Sequence, residues 1–158
     1  MSLEIRAARP GEEGLVYGFV RKLADYENLL HEVTATEEDI RQSLFGSDAV
    51  CRCDLAFQDG EPAGFALWFY NYSTFAGKAG IYLEDLYVEP HLRGHGIGKA
   101  LLKHLARRCI EQGLPRLQWW VLDWNAPSIA FYKSLGAKPM DEWTVFRVSG
   151  DDLEKLAE

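Results

Sequence analysis

Between residues 93 and 99 the chain reads Arg93-Gly94-His95-Gly96-Ile97-Gly98-Lys99, with a β-branched and aromatic stretch before it and an amphipathic one after it. Glycines at alternate positions admit positive φ angles and close approach, so the segment predicts a tight turn from a strand into a helix. At a helix head the backbone N–H groups and the helix dipole both favour an anion, for which a pyrophosphate is the natural guest. A turn that needs glycine for geometry alone would use the same letters. Two other phosphate loops do not fit. A Walker loop would need glycine where Arg93 stands and a hydroxyl where Ala100 stands. A dinucleotide fingerprint would need glycine at Lys99 or at Leu101.

Around this turn the hydrophobic pattern predicts alternating elements. Residues 3–9 read as a strand, and Leu15, Val16, Phe19, Val20 and Leu23 recur at helical spacing after Pro10. Tyr26 and Glu27 fall at the end of that helix. Thr36, followed by Glu37, Glu38 and Asp39, predicts a capped second helix with Ile40 and Leu44 facing the core. Strands over about 50–57 and 63–72 flank the Asp59-Gly60 turn, with an outward loop over 73–79 and a further strand over 80–88. A long helix over 97–112 closes at Gly113, and 116–122 reads as a buried strand. Asn125 predicts the cap of a helix ending near Gly136, followed by a last strand over 143–148 and a short helical tail. A mixed sheet with helices on both faces, α/β or α+β, is the expected architecture.

With 158 residues and no repeat or linker, a single domain over 1–158 is expected. Hydrophobic residues at 47% and charged residues at 26% are ordinary globular usage. No apolar run reaches a membrane-spanning length, and the polar start lacks a signal-peptide core, so a cytoplasmic location is expected. The net charge of −7 argues against a nucleic-acid partner and favours a cationic one. Cys51, Cys53 and Cys109 match no common zinc spacing, and His31, His91, His95 and His104 lack paired ligand spacing, so no metal is expected.

The run Arg93 to Gly98, Arg-x-x-Gly-x-Gly, resembles the coenzyme A pyrophosphate loop of the GNAT acetyltransferases. Downstream, Asn125-Ala-Pro-Ser-Ile-Ala-Phe131-Tyr132-Lys-Ser-Leu-Gly136-Ala137 is similar to that family's second signature. Tyr26-Glu27 and Tyr82-Leu83-Glu84-Asp85 narrow the resemblance to the diamine acetyltransferases. Tyr72-Ser73-Thr74-Phe75 and Val121-Leu122-Asp123-Trp124-Asn125 look more like the thialysine branch than the spermidine/spermine enzymes, which carry an aspartate where Ser73 falls. The resemblance implies a GNAT-like fold with a mostly antiparallel central sheet, acetyl-CoA as acetyl donor, a small amine as acceptor and a homodimer. It assigns Arg93, Gly94, His95, Gly96, Ile97, Gly98 and Lys99 to the cofactor, together with Leu86, Tyr87 and Val88 of the preceding strand and with Asn125 and Tyr132.

Acetyl transfer to an amine needs the amine neutral, although an alkylammonium has a pKa of roughly 10. Glu84 is therefore the candidate for deprotonating the substrate, directly or through water. Tyr132, whose phenol pKa is about 10, is the candidate acid for the departing thiolate. Tyr26, Glu27, Glu84 and Asp85 are the candidate amine-binding set. In a regular strand Asp85 faces away from Glu84, so the two can share a pocket only if a bulge or strand end intervenes. Two alternatives stay open: acetylation of a protein or peptide amine, and a non-catalytic module that only binds coenzyme A or an amine.

Overall fold

The computed structural model describes residues 2–158, in two compact units, one reaching to Trp120 and the other spanning Val121–Glu158. In the first unit the order is β1 (Leu3–Ala7), α1 (Glu13–Tyr26), a 3-10 turn, α2 (Glu37–Phe45), β2 (Arg52–Gln58), β3 (Glu61–Ser73), β4 (Lys78–Val88), a second 3-10 turn, α3 (Ile97–Gln112) and β5 (Leu117–Trp119). The five strands form one sheet in sequence order, antiparallel from β1 to β4, with β5 added parallel to β4. A single parallel step requires a crossover, which α3 provides. This is the mixed, mostly antiparallel sheet expected from the sequence.

Strand alternation assigns the helices to opposite faces. Cys53, Leu55, Phe65 and Leu67 pack with Val16 and Phe19 of α1, and Ile40 and Leu44 of α2 join this cluster. The intervening side chains, among them Asp54 and Trp68, point to the other side, where they meet His104 and Arg108 of α3. Thr36 caps α2 as the sequence predicts: it accepts from the Asp39 N–H at 3.1 Å while the Asp39 carboxylate accepts from its own N–H at 2.8 Å. Gly113, at φ 68°, ends α3 in the left-handed conformation.

Two strand expectations need correction. The strand expected over 116–122 covers only Leu117–Trp119, because its pairing with β4 stops at Leu83, the last residue before β4 bulges. A bulge breaks the hydrogen-bond ladder locally and bends its strand, so a short parallel neighbour cannot follow past it. The strand expected over 143–148 is absent. Trp143, Val145 and Phe146 are exposed there, and among the described residues no other strand pairs with this segment. Period-2 patterning expresses a preference, but a strand exists only where a partner supplies the ladder. The second unit holds α4 (Ala126–Ser134) and α5 (Asp151–Leu156). No helix among the described residues is long and apolar enough to cross a membrane.

Candidate active site

The glycine loop forms as its letters dictate. Gly94 has φ 83° and Gly96 has φ 80°, both left-handed values that non-glycine residues adopt only at a cost. Gly96 is the N-cap of α3, so its conformation sets the direction in which the helix starts, and no side chain caps the helix head. A Cβ built on Gly94 or Gly96 meets nothing within 4 Å, so the loop faces open space. Gly98 sits beside β4, where a Cβ would lie 3.8 Å from Val88, and Ile97 is buried and anchors the first turn. Backbone amides at an uncapped helix head beside unobstructed space suit a pyrophosphate.

Arg93 does not extend over this loop. Its Nε donates to the Val88 carbonyl at 2.9 Å, and its guanidinium lies 5.2 Å from the Tyr26 ring centre and 5.4 Å from that of Tyr87. The end of α1 and the end of β4 are thereby held against the loop. His95 is exposed and its Nδ1 hydrogen-bonds the Leu92 carbonyl at 3.0 Å, while Lys99 is exposed.

The second feature is the bulge in β4. Trp68 pairs with Leu83 and Leu67 with Asp85, so Leu83 and Glu84 together oppose one residue of β3. Its consequence follows from pairing. Phe69 and Leu67 share one face of β3, and their partners Tyr82 and Asp85 therefore share that face of β4, three residues apart. In an unbroken strand they would face opposite ways. Asp85 is turned toward the α1 side of the sheet, where Glu27 forms the C-cap of α1. Burial, then the Glu84 charge and then the Glu27 charge push the Asp85 carboxyl up to about 7. Burial also raises Glu27 above the usual carboxylate range. Asp85 thus lies, at the bulge, within electrostatic reach of both Glu84 and Glu27, and a cation would relieve that repulsion.

An aromatic row adjoins these acids. The Tyr82 ring stacks on Phe69 at 5.0 Å and meets Trp120 edge-on at 5.8 Å. Burial, with Glu84 and Asp85 adding to it, raises the Tyr82 phenol to about 12. This row was missed from the sequence because its place beside Asp85 depends on the bulge. The Ser73 hydroxyl accepts from the Ala76 N–H at 3.2 Å and shapes the turn between β3 and β4. Among the described residues no group of three or more His, Cys, Asp or Glu has the arrangement of a metal site.

In the second unit, the Asn125 side chain is buried and accepts from the Ser128 N–H at 3.4 Å at the head of α4. Tyr132 is half-buried, its ring tilted against Phe131 at 5.6 Å.

Residues 20–137 match the acetyltransferase (GNAT) family. The chain belongs to the GNAT acetyltransferases. This acetyltransferase is 37% identical to the bovine (Bos taurus) thialysine N-epsilon-acetyltransferase, over 97% of its own length and 96% of the relative's. It is 29% identical to the L-ornithine N5-acetyltransferase of Arabidopsis thaliana, over 99% and 88% of the two chains. Among solved structures it resembles an integron cassette protein from the mobile metagenome of V. cholerae, with a TM-score of 0.83 and 31% identity over 100% and 99% of the two chains. As in the family, acetyl-CoA is the acetyl donor of this acetyltransferase, and the open glycine loop at the head of α3 fits its pyrophosphate.

Proposed function

We propose that this acetyltransferase acetylates the primary amine of a small cationic metabolite, a thialysine-like amino acid or a di- or polyamine. The observation that carries this reading is the cluster of Glu27, Glu84 and Asp85 beside the aromatic row of Phe69, Tyr82 and Trp120. Carboxylates attract an alkylammonium, and ring faces accept its charge and its methylenes. The names of the thialysine and ornithine relatives, both acting on amines of small amino acids, point the same way. Between the two substrate classes the Ser73 region favours thialysine-like amines, since a neutral hydroxyl does not repel the α-carboxylate that an amino acid carries and a diamine lacks.

Bound acetyl-CoA supplies a thioester carbonyl open to attack by an amine. The amides of Gly94, Gly96 and Gly98 would hold its pyrophosphate, with Ile97 and Lys99 at the first turn of α3 and with Leu86, Tyr87 and Val88 along the strand. Arg93, whose Nε donates to the Val88 carbonyl, would supply positive charge to the phosphates, and His95 and Asn125 would complete the contacts. Glu84, exposed at the bulge, takes the proton of the ammonium directly or through water, while Asp85, Glu27 and Tyr26 hold the substrate. As the carbon–sulfur bond breaks, Tyr132 gives its proton to the thiolate, and the second proton shed by the acylated nitrogen restores the phenol through solvent.

The family match runs across both compact units, which supports one acetyltransferase domain over 1–158. Three free thiols fit a reducing, cytoplasmic setting, and the exposed apolar side chains over 143–148 fit a homodimer. The deciding experiment is a transfer screen with acetyl-CoA over thialysine, ornithine, diamines, polyamines, aminoglycosides and basic peptides. Highest kcat/KM for a small amine with a second charged end is expected. An aminoglycoside or a peptide in first place would remove the substrate class while leaving the acetyltransferase intact.

A further inference from the structure

Beside the end of α2, β1 stops while β2 begins further on. Ala7 pairs with Asp54, and Arg52 and Cys53 of β2 extend past that pairing. A cavity of about 500 Å3 opens there, lined on its apolar side by Leu44, Phe45, Val50 and Phe69 and on its polar side by Arg52, Asp54 and Arg108; Phe69 is the wall it shares with the aromatic row of the candidate active site. Its volume lies within the usual range for small-molecule pockets, roughly 300–1,000 Å3.

The floor of this cavity is built rather than incidental. Trp68, buried to 1% exposure, donates its indole N–H to the Asp54 carboxylate at 2.8 Å, and Tyr70 meets the indole edge-on at 5.1 Å. The Arg108 guanidinium lies 5.1 Å from the Trp68 ring centre, and that of Arg52 lies 5.8 Å from Trp68 and 5.4 Å from Tyr70. Two cations thus flank one indole. The single carboxylate beside them, Asp54, is engaged by Trp68 and lies 3.5 Å from His104. Among the described residues neither arginine has a carboxylate partner within ion-pair distance, and the buried Nε of Arg108 has no hydrogen-bond partner. A buried guanidinium N–H without an acceptor is costly, and an anion satisfies it best.

We propose that this cavity is a second ligand site, which takes a small organic anion, its oxyanion gripped by Arg52 and Arg108 and its apolar body lying over Trp68 toward Leu44 and Phe45. Guanidinium forks match oxyanions in two-point contacts, and the indole supplies a flat apolar surface for the body. The chain carries a net charge of −7, so a place where two cations outnumber one anion is a local inversion that a ligand would sense.

Titration calorimetry on the intact protein, without acetyl-CoA, tests the site with benzoate, with neutral benzamide and with inorganic phosphate. Benzoate should bind, and benzamide and phosphate should each bind at least roughly tenfold more weakly, since each lacks one half of the recognition. Arg108→Gln and the surface variant Arg52→Gln should each weaken benzoate by a similar factor. Neither arginine belongs to the acetyl-transfer machinery proposed above, so turnover of Arg52→Gln should be unchanged. Absence of benzoate binding would overturn the proposal, as would equal binding of benzamide or phosphate, or full affinity in Arg52→Gln. Because Arg52 is exposed, its variant keeps the test decisive even if Arg108→Gln does not fold.

Discussion

Asp85 carries its carboxyl beside the β4 bulge, within reach of the Glu84 and Glu27 charges. Its folded-state pKa, raised from 3.8 to about 7, means that the folded protein prefers the protonated acid. Stability is therefore complete below the unfolded value and is lost as pH rises from about 4 through 7. Asp85→Asn should match the parent near pH 4 and exceed it above pH 7, by at most on the order of 4 kcal/mol. Urea unfolding at several pH values checks this; a constant difference would mean that Asp85 is not destabilised by its charge. Amine affinity should move the opposite way, rising in the parent as pH passes 7, since a bound ammonium favours the ionised acid. Tyr132→Phe removes one oxygen and keeps the ring against Phe131. Positioned acids contribute roughly 100- to 10,000-fold, so turnover should fall within that range with acetyl-CoA affinity little changed. A tyrosine with only a packing role would instead lower the melting temperature and leave turnover intact.

At the scale of elements, the loop-to-helix unit and the bulged strand do most to shape the site. Gly96 at φ 80° is both the N-cap of α3 and a member of the proposed phosphate cradle. Gly96→Val should cost about 1 kcal/mol or more from the left-handed backbone alone. It should also weaken acetyl-CoA binding, which a titration of the folded variant measures; unchanged affinity would remove the loop from the cofactor site. Since a Cβ at Gly96 meets no protein atom within 4 Å, any loss of affinity would come from backbone direction or from the ligand itself, not from crowding within the chain. The bulge in β4 works in the opposite sense to a regular element. It ends the pairing with β5 at Leu83, leaving Trp120 exposed, and it turns Tyr82 and Asp85 to one face.

For the whole molecule, the apolar residues of 143–148 raise the question of assembly. Trp143 and Phe146 are exposed at 70% and 90%, more than a monomer usually leaves uncovered in one short segment. Sedimentation should give twice the 17.9 kDa of one chain, and Phe146→Lys should shift the equilibrium toward the monomer. A monomer in both would remove the homodimer.

What the sequence determined by itself was local: helix faces at 3.6-residue spacing, the Thr36 and Asn125 caps, the Gly113 stop, and the glycine loop whose geometry only glycine tolerates. These depend on interactions within a few residues, so the letters suffice. The bulge at Glu84, the shortened β5 and the missing strand over 143–148 belong to the tertiary structure, because a ladder is decided by the partner strand. The same holds for Asp85 beside Glu27, and for Arg52 and Arg108 around one indole. Those residues stand tens of positions apart, and nothing in their own neighbourhoods signals that folding would bring them together.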